Sequence, residues 1–261
     1  MSDVGTRAPG GLSPAPGAAP RARVVLSQAA YEVRSTLRNG EQLLLTLAIP
    51  LVLLVGLSRL PVDLLGHDPA VDAVAPGVLA LAVVSTAFTG QAIAVGFERR
   101  YGVLRLLGAT PLGRSGLLLA KTLGVLAVEA VQVALIAVVG FALGWRPAGS
   151  AAAALALLLL GTAAFSALGL LLGGTLRAEG TLAVANGLYL LMLVAGGLVV
   201  PATRMPDAWA AVVPWLPSGA LGEGLRAVLL DGQALPLQPV LVLIVWAAAA
   251  GFAAVRTFRW D

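Results

Sequence analysis

The chain has 261 residues, of which 59% are hydrophobic and only 11% are charged. An average soluble domain is about 25% charged. A single soluble core cannot bury this much apolar surface, so the composition predicts that lipid surrounds most of the chain. Cysteine is absent, which excludes disulfides and thiolate metal sites. Histidine occurs once, at His67, which excludes a metal centre with several histidine ligands. The net charge of +4 comes from basic residues scattered between apolar runs, which argues against a nucleic-acid-binding surface.

The N-terminal region has two parts. Residues 1–23 are rich in Pro, Ala and Gly and contain no apolar run, so we expect a disordered cytoplasmic tail rather than a signal peptide. Apolar residues then recur at helical spacing among polar ones, at Leu26, Ala29, Ala30, Val33 and Leu37. This pattern predicts an amphipathic helix in the membrane interface. An ordinary cytoplasmic helix leading into the first span is the alternative.

Six apolar stretches of 17 to 29 residues follow, and a membrane-spanning helix needs roughly 20. They cover residues 42–58, 73–97, 117–145, 150–176, 181–200 and 237–255. The segment 201–236 between the last two carries tryptophans among several prolines, which predicts short interfacial or re-entrant helices. A seventh span is the alternative there. The sequence therefore predicts an all-α, polytopic membrane domain over residues 24–261.

The distribution of basic residues predicts the orientation of this domain. With six spans, 13 of the Lys and Arg residues lie on the side of the two termini and 4 on the other side. The positive-inside rule then places both termini in the cytoplasm of a multi-pass cell-membrane protein. A seven-span topology would move Arg256 and Arg259 outside, which the same rule disfavours.

The connection between the second and third spans, residues 98–111, is here called the coupling segment. It opens with Glu98, Arg99 and Arg100, where the chain leaves lipid, and continues with leucines that need a partner surface. Thr110-Pro111 then indicates a turn. The pattern predicts a short helix that offers cations and leucines to the cytoplasm. The alternative is a solvated loop whose leucines rest on the membrane.

This segment resembles the ABC-2 type permease family of drug and polysaccharide exporters. The residues that match the family pattern are Glu98, Arg99, Gly102, Leu104, Thr110, Pro111 and Lys121. The departures are Val103, where Thr is usual, Arg105, where an acidic residue is common, and Ala120 before the lysine. A second match, before the last span, is Leu216-Pro217 followed by Glu223-Gly224-Leu225-Arg226. The resemblance covers roughly residues 24–259.

The resemblance implies a membrane subunit of an ATP-driven exporter, which dimerises with a second copy or a paralogue. A separate ATPase subunit would bind the coupling segment and hold the ATP and Mg²⁺, so no catalytic residue and no cofactor are expected in this chain. The residues implied in that contact are Glu98, Arg99, Arg100, Tyr101, Gly102, Leu104, Arg105, Leu107, Thr110 and Pro111. Ala120-Lys121-Thr122 only faintly echoes a phosphate-binding loop and lies at a span. We expect Lys121 to snorkel to the interface.

Glu129 lies near the middle of the third predicted span. An acid at that depth costs about 2.5–3.5 kcal/mol on insertion scales, so it should face the bundle interior or a cavity. Gln132 shares its helical face, and Gln91 and Asn186 are polar residues of other spans that we expect to join it. Two interpretations stay open: a polar patch along the substrate pathway, or a structural hydrogen-bond cluster between helices.

Two other functional classes are compatible with a polytopic chain. A secondary transporter that acts without an ATPase usually has more spans, internal repeats or broken helices around a charged site. A membrane-embedded enzyme needs acids, histidines or a nucleophile–base pair at one depth, whereas these spans hold one acid and no histidine. Apolar pathway walls favour a lipophilic substrate, either a drug-like compound or a lipid.

Overall fold

The computed structural model describes residues 19–38, 40–59, 69–108 and 112–257. Every regular element in these ranges is helical, which confirms the predicted all-α fold. Residues 1–18 of the predicted tail lie outside the described residues. The first helix begins at Arg21, so the predicted end of the tail at residue 23 is three residues too late.

The described residues form eleven α-helices and one π-helical segment. In chain order they are α1 (Arg21–Arg38), α2 (Gly40–Leu57), α3 (Ala70–Val83), a π-helical segment (Val84–Gly90), α4 (Gln91–Arg100), α5 (Val103–Gly108), α6 (Gly113–Ala142), α7 (Ala151–Thr175), α8 (Ala178–Ala195), α9 (Asp207–Ala210), α10 (Pro217–Leu229) and α11 (Leu237–Thr257). Two 3₁₀ turns, Ala202–Arg204 and Val213–Trp215, flank α9.

Five helical stretches of the described chain are long and apolar enough to cross a membrane. They are Ala70–Arg100, Ser115–Ala142, Ala151–Thr175, Ala178–Ala195 and Leu237–Thr257. The chain is therefore a multi-pass membrane protein. The apolar part of α2, Thr46–Leu57, is shorter than a span, so the sixth span stays a prediction. No helix described within 201–236 reaches spanning length, and α10 has only 13 residues.

The second span is a single long helix whose middle, Val84–Gly90, is π-helical. Helix α7 packs closely against it through Gly169 and Gly173. A Cβ on Gly169 would lie 2.8 Å from the Ala87 carbonyl oxygen, and one on Gly173 would lie 2.5 Å from that of Ala92. The Gly-xxx-Gly spacing therefore allows close packing within this chain. π-Helical turns often occur at functional sites because they alter the backbone hydrogen bonding of a helix.

Helix α6 ends in a Schellman motif. Gly144 adopts a φ of +91°, and the amide of Trp145 donates to the Gly140 carbonyl at 2.9 Å. The amide of Gly144 donates to Phe141 at 3.0 Å, and the Trp145 ring stacks on Phe141. This cap ends the helix three residues before the predicted end of the third span.

Candidate coupling surface and polar core

The coupling segment forms a turn and a short helix at the end of the second span. Helix α4 ends at Arg100, and Gly102 turns the chain with a φ of +75°, which favours glycine. Helix α5 follows, and its Leu104 is fully buried beside Val95 and Leu117. Leu107 is half-buried against the same cluster. Leu104 therefore anchors α5 to the membrane domain.

Two large apolar side chains of the segment are exposed, although the Tyr101 ring stacks on Phe97. Tyr101 is 73% exposed and Leu106 is 75% exposed, and Arg100 and Arg105 are exposed beside them in the sequence. These four residues are called the outer face below. Leu106 is one of the leucines that the sequence predicts to need a partner surface, although it is not among the residues that the resemblance implies. Thr110 and Pro111 lie outside the described residues.

Glu98 and Arg99 face the interior of the chain. Arg99 donates through Nη1 to the Gly173 carbonyl of α7 at 3.2 Å. Arg100 instead forms an exposed ion pair with Glu179 at the start of α8. The three charged residues that open the segment therefore have different roles, and Arg100 alone belongs to the outer face.

Lys121 of α6 lies between two carboxylates from two other helices. Its Nζ is 2.8 Å from Oε1 and 2.7 Å from Oε2 of Glu98 in α4, and 3.0 Å from Oε1 of Glu32 in α1. Its side chain is only 3% exposed, so it does not snorkel to the interface as expected. These three residues are called the Lys121 cluster below. They join α1, α4 and α6 at one point.

Gln132 and Glu129 link α6 to its neighbours. Gln132 accepts a hydrogen bond from the Thr86 hydroxyl at 2.8 Å and donates through Nε2 to the Thr46 carbonyl at 3.0 Å. Glu129 is hydrogen-bonded to Thr162 of α7. Gln132 thus joins α6 to α2 and the π-helical segment, and Glu129 joins it to α7. This geometry favours the interpretation of a structural hydrogen-bond cluster.

Of the other two predicted pathway residues, Gln91 lies near this cluster and Asn186 does not. Gln91 is 5% exposed, and neither of its amide atoms has a hydrogen-bond partner among the described residues. It lines a cavity of about 70 Å³ together with Thr86, Glu32 and Lys121, which is room for about two water molecules. Asn186 is exposed on α8 and does not join Glu129.

The second sequence match forms a buried brace at the other end of the spans. Arg226 of α10 donates to the carbonyls of Gly197 and Leu198, which follow α8, and pairs with Glu223 at 3.0 Å. Glu223 in turn accepts from the Ala202 amide at 2.9 Å. Burial lowers the pKa of the Arg226 guanidinium, and the Glu223 charge opposes that shift. The pair ties the end of α8 to α10.

The ABC-2 type transporter family matches residues 25–230, which contain both the Lys121 cluster and the Arg226 brace. The chain belongs to the ABC-2 type transporter family. It is also similar to "Putative transport permease YvfS" of Bacillus subtilis (strain 168), with 33% identity over 89 residues. That match covers 34% of this chain and 36% of the relative, so the chain spans about a third of the relative's length.

Proposed function

We propose that this chain is the permease subunit of an ATP-driven exporter and that its outer face binds a separate ATPase subunit. The observation that supports this most is the pair of exposed side chains, Tyr101 in the turn before α5 and Leu106 on α5, which buried Leu104 anchors. Two large apolar side chains exposed at the end of a span are suited to a partner protein. Nearby Arg105 adds positive charge, whereas Glu179 balances the charge of Arg100.

The residue types of the outer face indicate what kind of partner surface it can bind. Tyr and Arg are enriched among the residues that dominate binding energy at protein interfaces. Burying Tyr101 and Leu106 requires an apolar groove, and Arg105 favours acidic residues at its rim. That partner binds the ATP and Mg²⁺. This chain transmits the conformational change of the partner to the membrane spans.

The exposed face of α8 supports a second permease copy or a paralogue as a further partner. Asn186 lies on this face of a membrane-spanning helix, where an amide facing lipid lacks hydrogen-bond partners. Gly187 beside it has open space around its Cα, which permits close approach of another helix. We propose that this face meets the second subunit or lines the pathway between the subunits.

The walls of such a pathway would be largely apolar, which favours a drug-like compound or a lipid as the substrate. The distribution of basic residues supports a cell-membrane location with both termini in the cytoplasm.

The contact is tested by co-expression with an ATPase encoded next to this chain, followed by co-purification and transport assays in vesicles. Tyr101→Ala with Leu106→Ala should reduce the amount of co-purified ATPase at least tenfold. The matched control is Tyr31→Ala with Leu26→Ala, which removes a tyrosine and a leucine of similar exposure from α1. Equal ATPase recovery from both variants would refute the contact. Transport that an ion gradient drives without any ATPase would favour the secondary transporter instead.

A further inference from the structure

Helix α1 is packed against the start of α6 at the level of the Lys121 cluster. A Cβ on Gly124 would lie only 2.8 Å from the Cβ of Glu32, so a glycine is required for this approach. Thr36 donates to the backbone carbonyl of Glu32 at 3.0 Å, and Gln28 donates to its carboxylate at 2.8 Å. The Glu32 carboxylate is therefore held in position for Lys121 by its own helix.

The cluster links α1 to the helix that carries the outer face. Glu98 lies two residues before Arg100, and no glycine separates it from the end of α4. Lys121 is the shared cation of two carboxylates and is almost completely buried. If α1 and α4 moved apart, one carboxylate would lose its cation in a poorly hydrated site, which is strongly unfavourable. Separation of the two helices is therefore opposed.

We propose that Lys121 and Glu32 are positioning residues that make α1, α4 and the start of α6 move as one unit when the ATPase displaces the coupling segment. This inference rests on the proposed function. In this arrangement α1 is more than a membrane anchor, because it takes part in transmitting the movement. Loss of the Glu32 link leaves the outer face intact but transfers less of its displacement to the spans.

The first test uses the complex of the full chain with its ATPase in vesicles, with ATP hydrolysis and transport measured together. Glu32→Gln should lower the number of molecules transported per ATP at least fivefold, while ATPase co-purification stays unchanged. The control is Arg34→Gln, which removes a charge from the exposed face of the same helix. Unchanged transport per ATP in Glu32→Gln overturns the inference. Failure of the wild-type chain to bind any ATPase overturns the proposed function instead.

A second test does not depend on how well Glu32→Gln folds. The chain has no cysteine, so Glu32→Cys with Gly124→Cys creates a single disulfide between α1 and α6 upon oxidation. The two Cβ atoms would lie 2.8 Å apart, about 1 Å closer than the roughly 3.8 Å of a disulfide, so α1 shifts outwards by about that distance when the bond forms. The oxidised protein should regain the transport per ATP that the reduced protein lacks. An oxidised protein less active than the reduced one would show that α1 must move relative to α6, and would overturn the inference.

Discussion

Removing the charge of Lys121 is the most direct test of how much the Lys121 cluster contributes to stability. Lys121→Met keeps most of the length and apolar volume of the side chain, so any loss comes mainly from the missing ammonium group. Glu32 and Glu98 are then left facing each other without a cation. Glu32 keeps its hydrogen bond from Gln28, whereas the structure gives Glu98 no other side-chain ligand among the described residues.

The expected cost follows from burial. Removing one partner of a buried ion pair costs about 3–5 kcal/mol because an uncompensated charge remains. The side chains of Glu32 and Glu98 are 16% and 23% exposed, and this partial hydration places Lys121→Met near the lower end, about 3 kcal/mol. The triple variant Lys121→Met, Glu32→Gln, Glu98→Gln removes all three charges. It should regain most of the loss, since a buried ion pair is often replaceable by neutral groups at little cost.

Thermal unfolding of the purified protein in detergent measures this difference. A change of 1 kcal/mol shifts Tm by about 2–4 °C in a domain of this size, so we expect Lys121→Met to lower Tm by roughly 6–12 °C. Arg34→Met, at an exposed position of α1, should leave Tm unchanged. If Lys121→Met unfolds within 2 °C of the wild type, or if the triple variant is no more stable than the single one, the reasoning is wrong.

Three further predictions concern the packing and the polar core. Gly173→Val should cost at least about 1–3 kcal/mol and lower the yield of monodisperse protein, because its Cβ would meet a backbone carbonyl that cannot turn away; Gly180→Val, with open space around it, should not. Arg226→Ala should lower Tm by an amount equivalent to about 3 kcal/mol, since two carbonyls and Glu223 lose their cationic donor. Glu129→Gln should change the free energy of unfolding by less than about 1 kcal/mol, because an amide can still form a hydrogen bond with Thr162. Normal stability of Glu129→Gln with lost transport would favour the substrate pathway over the structural cluster.

The spans were predictable because lipid imposes a simple rule on the sequence. Residues 150–176 were predicted and α7 covers Ala151–Thr175; residues 237–255 were predicted and α11 covers Leu237–Thr257. A long uncharged stretch must form a helix in lipid, since only a helix satisfies all its backbone groups locally. The all-α fold and the family were both predicted on this basis and on two short motifs.

The direction in which each polar residue points was not predictable from such rules. Glu32 and Lys121 are 89 residues apart, and no local spacing indicates that they meet, so Lys121 looked like a lone cation at a span end. Asn186 faces outwards because of the way in which α8 packs. Helical periodicity alone does not indicate this direction, since apolar residues occur on all sides of α8. Leu104 and Leu106 differ in burial because the turn at Gly102 sets the rotation of α5.

The two family motifs have the same physical role at opposite ends of the spans. In each, a buried cation and an acid join the end of a span to a neighbouring helix: Lys121 with Glu98 in one, Arg226 with Glu223 in the other. Four of the residues that carry the resemblance hold this frame, and replacing one of them would leave a buried charge without its partner.

The exposed residues between the frame positions are under no such constraint. Arg105 departs from the family pattern, in which an acid is common, and it lies on the outer face. A reversed charge at an exposed docking position selects a partner with the complementary charge. We therefore expect the cognate ATPase to carry an acidic residue opposite Arg105, and Arg105→Glu to weaken this ATPase while improving the fit of one that pairs with an acidic coupling segment.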